Sequence, residues 1–170
     1  MLYRFVLLII FFLSAIQLNA QSKKKEKQYD FYGRVFLENA KGENITVRLY
    51  DDNEVISEYN TDKNGKFAVG APKLKHYTLE FEKAGFVTKR MIINTRKVLT
   101  SKNRVEDFDF NVYLIEELEN VNYSILDFPI ALIEYKKSIK GFDYNKKYTR
   151  QMHKIQNEVI ANGDSFVFSD

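Results

Sequence analysis

The chain has no cysteine and no tryptophan, and only two prolines in 170 residues. Without cysteine there can be no disulfide, no thiolate-bound metal and no lipid of the bacterial lipoprotein kind. An exported chain of this size must then rely on its core. Histidine is nearly missing too. His76 and His153 are the only two, and neither has a carboxylate at metal-ligand spacing, so no zinc pattern can be written. No Gly-rich phosphate loop and no Gly-x-Ser-x-Gly element occurs. Charge of either sign is not in excess: 26 Lys and Arg stand against 23 Asp and Glu. No basic stripe interleaved with aromatics runs along any one element, so nucleic acid is not an expected partner.

What is present begins with an export signal. Residues 1–20, MLYRFVLLIIFFLSAIQLNA, carry one early positive charge, Arg4, then an apolar run over residues 5–16, then small or polar residues to Ala20. That is the layout of a secretory signal peptide. The apolar run is twelve residues long, whereas a membrane span needs about 20. Cleavage is expected after Ala20, which leaves no stable span and lowers the formal charge from +3 to +2. A Lys-rich leader follows at 21–28, with SKKKEK at its centre, and is read as a solvated segment. Export without cysteine suggests a bacterial envelope, with a periplasmic or extracellular destination.

From Tyr29 onward apolar residues recur with period two, the mark of half-buried strands. Residues 29–37 put Tyr29, Phe31, Gly33, Val35 and Leu37 on one face. Residues 45–51 set Ile45, Val47 and Leu49 against Thr46, Arg48 and Tyr50. Asp52 and Asn53 turn the chain into 54–60, and 66–72 follows. Residues 76–94 divide into two strands around Lys83, Ala84 and Gly85. Residues 105–115 present Phe108, Phe110, Val112 and Leu114 together. Seven short strands joined by turns predict a β-sandwich over 29–115.

The C-terminal extension, 116–170, reads differently. Residues 123–137 hold an unbroken apolar core over 128–133, as a strand buried on both faces would. After Lys140 and Gly141, Tyr148, Met152, Ile155 and Val159 recur at helical spacing. A helix is predicted over about 145–161, capped by Asp143 or Asn145 and ended by Gly163. An isolated helix of this length is marginal in water, so the stripe is expected to dock on the sandwich beside 128–133. Lys147, Arg150 and Lys154 would then face outward, toward an acidic partner. Residues 165–170 suit a short added strand. Phe128, Phe142, Tyr144 and Tyr148 are either packing for this extension or a stacking surface for a partner or glycan.

Residues 60–67, NTDKNGKF, look at first like a calcium loop. Asn60, Asp62 and Asn64 alternate before Gly65. The loop's twelfth position, where a bidentate glutamate belongs, is Ala71. One carboxylate flanked by Lys63 and Lys66 is too little anionic oxygen for a hard divalent cation. A hairpin turn is the better reading, with Gly65 supplying a positive φ.

The order of these motifs resembles a known family. An early Gly-x-Val (Gly33, Val35) is followed by VRLYD, then by T-D-x-x-G-K-F from Thr61 to Phe67. Y-x-L-E-F (Tyr77, Leu79, Glu80, Phe81) and K-A-G-F (Lys83, Ala84, Gly85, Phe86) come next. The pattern resembles the carboxypeptidase regulatory-like, or transthyretin-like, domain over residues 29–115. That resemblance implies a seven-stranded prealbumin-type sandwich, common in bacterial envelope proteins, with no active site or cofactor to carry over. A related hydroxyisourate hydrolase needs paired histidines, an arginine and a C-terminal Tyr-Arg-Gly-Ser; this chain ends Phe-Val-Phe-Ser-Asp.

The sequence therefore predicts a mainly β protein: a seven-stranded transthyretin-like β-sandwich with a C-terminal strand–helix extension. No catalytic, cofactor-binding or metal residues are nominated. The expected role is a non-catalytic envelope module that contacts other envelope proteins. A carbohydrate- or peptidoglycan-binding module is the alternative and a hydrolase the remote one. Carboxylates at Asp51, Asp52, Glu116, Glu117 and Glu119 are read as solvated turns.

Overall fold

The structure, a computed structural model, describes residues 27–38, 40–98, 105–119 and 121–161. The expected signal peptide, most of the expected Lys-rich leader, Gly163 and the closing segment lie outside the described residues. Ten strands and one α-helix form within them. A four-stranded sheet holds β1 (Gln28–Leu37), β2 (Ala40–Lys41), β5 (Lys66–Pro72) and β8 (Phe108–Tyr113). A six-stranded sheet runs in the order β10 (Gly141–Tyr144), β9 (Pro129–Lys136), β7 (Lys89–Asn94), β6 (His76–Glu82), β3 (Thr46–Asp51), β4 (Glu54–Asn60).

The two sheets form a β-sandwich with one core between them. β1 is buried at Tyr29, Phe31, Gly33 and Val35 and open at alternate positions, as its period-two pattern requires. Phe67 and Val69 of β5 and Phe110 and Val112 of β8 extend this inner face. Opposite them stand Val47 and Leu49, Leu79 and Phe81, and Met91 and Ile93 from the larger sheet.

Gly33 allows the small sheet to close. β8 runs parallel to β1 with Phe110 opposite Gly33, and β5 runs antiparallel with Phe67 opposite it. A Cβ at Gly33 would lie 1.7 Å from the Phe110 carbonyl oxygen and 2.8 Å from the Phe67 ring. No side chain fits there. The second special glycine is Gly65, at φ +73°, in the turn of residues 60–67. The Gly65 N–H donates to the Asp62 carbonyl at 2.8 Å, and the Asp62 carboxylate accepts from the amides of Asn64 and Lys66, each at 2.8 Å. The loop is a hairpin turn whose carboxylate caps its own backbone.

The extension joins the fold more deeply than its sequence suggested. Residues 123–137 are not one strand. Tyr123–Leu126 forms a 3-10 turn, and only Pro129–Lys136 is extended. β9 lies parallel to β7, with Ile93 opposite Ile133, so the larger sheet continues directly into the extension. Ile130 and Ala131, which point to opposite faces, are both buried. β10, not foreseen from sequence, hairpins back onto β9 through a turn where Lys140 takes φ +51°. It delivers Phe142 between the sheets, edge-on to Tyr29 (5.2 Å) and Phe31 (4.9 Å).

The helix α1 (Lys146–Ala161) starts where predicted. Asn145, not Asp143, is its cap: the Asn145 side-chain oxygen accepts from the Tyr148 N–H at 3.2 Å. The helix docks on β9 and the 3-10 turn. Val159 is buried in a small cluster with Val87 and Leu126, and the Tyr148 hydroxyl donates to the Pro129 carbonyl at 2.7 Å. Tyr148, Met152 and Ile155 are half-buried, while Lys147, Arg150 and Lys154 face solvent as expected. No helix among the described residues is long and apolar enough to cross a membrane.

Candidate functional site

The polar residues singled out by sequence are kept apart by the fold. His76 lies opposite Asn94 at one end of β7, and His153 lies beside Lys89 at the other. Five residues of strand separate those ends, roughly 16 Å at about 3.3 Å per residue. Asp51 pairs with Lys75, and Asp52 sits in the β3–β4 turn. The four aromatic residues of the extension singled out above, Phe128, Phe142, Tyr144 and Tyr148, serve packing. Phe142 is in the core, Phe128 and Tyr144 pack against it, and Tyr148 is tied to the Pro129 carbonyl. Among the described residues no three His, Cys, Asp or Glu side chains are grouped to hold a metal ion.

The outer face of the larger sheet carries a charge network. Arg48 pairs with Glu58 at 2.6 Å, with Glu80 at 3.2 Å and with Glu82. Arg90 pairs with Glu80 at 2.7 Å and with Asp127. Burial pushes the Glu80 carboxyl up, but the bonds from Arg90, Tyr50 and Arg48 outweigh it and hold the group below its ordinary value. Every charge here has a partner, so the network ties β3, β4, β6, β7 and the 3-10 turn together.

Two concave surfaces meet at β8, which among the described residues pairs only with β1. The larger is an apolar groove of about 880 Å³. Phe36, Leu37, Tyr113, Leu114, Ile115, Leu118 and Ile160 line it, with Glu38, Lys41 and Glu116 among its polar members. Tyr113 stacks on Phe36 at 5.2 Å, yet Tyr113 is 60% exposed and Leu118 54%. Large apolar side chains held this open in a concavity are the surface feature most in need of a partner.

The smaller is a cavity of about 380 Å³ between α1 and the sandwich. Tyr113 and Ile115 line both spaces. Its walls are apolar at Met91, Val112, Ile130 and Ala131. Lys89, Thr149, His153 and Gln156 also line it, and no aspartate or glutamate does. Lys89 is only 7% exposed, and burial lowers its ammonium pKa to about 8. The His153 imidazole is lowered too, by burial and then by the Lys89 charge. The Thr149 hydroxyl is buried without a hydrogen-bond partner among the described residues. Sequence reading passed over Lys89, since one lysine beginning a strand gives no signal. His153 is exposed on the helix and also borders the cavity.

No protein-family model matches the chain, and no curated protein matches it significantly. Solved structures do show similarity. A chain of a type II cohesin–X-dockerin complex from Acetivibrio cellulolyticus is 15% identical over 52% of this chain and 58% of its own, with a TM-score of 0.38. A DUF3823 family protein from Parabacteroides merdae is 13% identical over 54% of this chain and 48% of its own, also with a TM-score of 0.38. This chain thus spans about half the length of those two structures. The 5-hydroxyisourate hydrolase of Klebsiella pneumoniae is 14% identical over 68% of this chain and 95% of its own, with a TM-score of 0.36.

Proposed function

We propose that the chain is a non-catalytic module of an exported bacterial envelope protein, built on the transthyretin-like sandwich, and that it works by protein–protein contact. The observation that carries this reading is the apolar groove beside β8, with Tyr113 and Leu118 more than half exposed inside it. The groove suits an extended segment that presents two or three apolar side chains, with Glu38 and Glu116 placed to meet a basic residue. The export signal and the lack of any assembled catalytic set are consistent with it. Cross-linking in envelope fractions followed by purification should recover a partner. Leu118→Asp should strip that partner while leaving thermal stability unchanged, because Leu118 contributes little to the core. A wild-type chain that stays alone under cross-linking overturns the reading.

A second reading, a carbohydrate- or peptidoglycan-binding module, has its own supporting surface. Tyr32, Arg34, Asp109 and Asn111 line a cleft of about 510 Å³ on the outer face of the small sheet. An exposed ring beside side-chain donors and acceptors suits a sugar's apolar face and its hydroxyls. Phe128, Phe142, Tyr144 and Tyr148 of the extension are committed to packing and do not support this reading. Calorimetric titration with cell-wall fragments decides it, and flat responses across the panel remove it. The hydrolase reading required a histidine in a cleft beside a carboxylate. His153 lines a cavity whose described walls hold no carboxylate, so that reading gains no support.

A further inference from the structure

A buried lysine without a counter-ion is a standing cost to the fold. Desolvation disfavours the charged form, and such groups are ordinarily paired or left at the surface. Lys89 begins β7, is 93% buried, and has no ion pair or side-chain hydrogen bond among the described residues. It meets a second unsatisfied group in the same cavity, the buried Thr149 hydroxyl. The Gln156 side chain, itself buried, lines the same space. These polar groups come from β7 and α1, and Met91, Val112, Ile130 and Ala131 supply an apolar part of the wall. Asn111, Asn157, Tyr144 and His153 complete the polar lining and no carboxylate is in it, so one buried ammonium among neutral polar groups and apolar wall suits a single negative charge carried on an apolar body.

We propose that this cavity binds a small organic monocarboxylate, with the carboxylate at Lys89, Thr149 and Gln156 and the apolar body against Met91, Val112, Ile130 and Ala131. The bound anion supplies the counter-charge that no described residue provides there. One ammonium with neutral donors matches one negative charge; a phosphate dianion would bring more charge than Lys89 answers. The volume, about 380 Å³, lies toward the small end of the range for small-molecule sites. Benzoate and hexanoate are small enough to enter a space of this volume. The cavity shares Tyr113 and Ile115 with the apolar groove, but Lys89, Thr149 and Gln156 line the cavity and not the groove.

The test is calorimetric titration of the purified protein with benzoate and hexanoate, beside the neutral amide benzamide and inorganic phosphate. The expected result is one saturable site for the carboxylates and binding roughly tenfold or more weaker for benzamide, the factor that loss of a charged hydrogen bond brings. Lys89→Met keeps the volume and removes the charge, and should erase the preference for benzoate over benzamide. Thr149→Val should weaken benzoate by a few-fold and leave benzamide less affected. Absence of saturable carboxylate binding overturns the proposal. So does tighter binding of phosphate than of benzoate, or benzoate binding that Lys89→Met leaves unchanged.

Discussion

The hairpin of β9 and β10 and the helix that follows it belong to one sequence extension, yet the sandwich treats them differently. The hairpin is core. β9 is hydrogen-bonded to β7, and Phe142 of β10 lies among Tyr29, Phe31 and Tyr135 between the sheets. The helix is a cover. Of its residues only Gln156 and Val159 are buried, and its apolar stripe meets one strand and a 3-10 turn. Beneath it lies a cavity with a cation, Lys89, that has no ion pair among the described residues. Sequential neighbours thus divide the work: one stabilises, and the other spends stability to enclose polar space.

Substitutions can sharpen or break that contrast. The reference is the sandwich itself, where Gly33→Ala should have the largest effect. The added Cβ meets a backbone oxygen at 1.7 Å, so β1 and β8 must part. A loss beyond the ~4 kcal/mol that marks exceptional single changes is expected, read as failure to give a cooperative thermal transition. A normal transition would show that β8 is not seated as described. In the hairpin, Phe142→Ala should cost about 3–5 kcal/mol in urea unfolding, the range for a buried ring. A loss below one kcal/mol would place the hairpin outside the core.

Beneath the helix the sign reverses. The folded-state pKa of Lys89 is lowered to about 8 by burial, below the unfolded value of ~10.4. The unfolded chain therefore binds more protons between those two values, and stability rises with pH across that window. Below pH 8 the burial cost is fully present; above about pH 10.5 it is gone. Lys89→Met should accordingly stabilise the protein at pH 7 by on the order of 3 kcal/mol, and the gain should shrink as pH rises from 8 to 10. A destabilised variant with no such pH trend would mean that the lysine is paired. On the helix stripe, Ile155→Asp should cost only about 1–2 kcal/mol, since Ile155 is half-buried. If it changed no melting temperature but abolished a recovered partner, the stripe would be an interface.

Much of this was legible in the residue order because strand and helix periods are local. Alternation in 29–37 and 45–51 assigns inward faces without knowing the partner strand, and those faces are the core. Tyr148, Met152, Ile155 and Val159 define a helix face by the same logic, and Asn145 caps it within one turn. The turn at 60–67 is settled by Asp62 and Gly65 alone. β10 escaped because four residues, Gly-Phe-Asp-Tyr, are too short to display a period.

The candidate sites were hidden for a different reason. Lys89 and Thr149 are sixty positions apart, and their meeting depends on β9 lying parallel to β7 and carrying α1 back across it. The groove likewise depends on β8 pairing in parallel with β1, which brings Tyr113 beside Phe36 and the chain after it past Ile160. Apolar periodicity says which side of a strand is buried. It is silent on which strands become neighbours, because that choice is made by packing energy summed over the whole core.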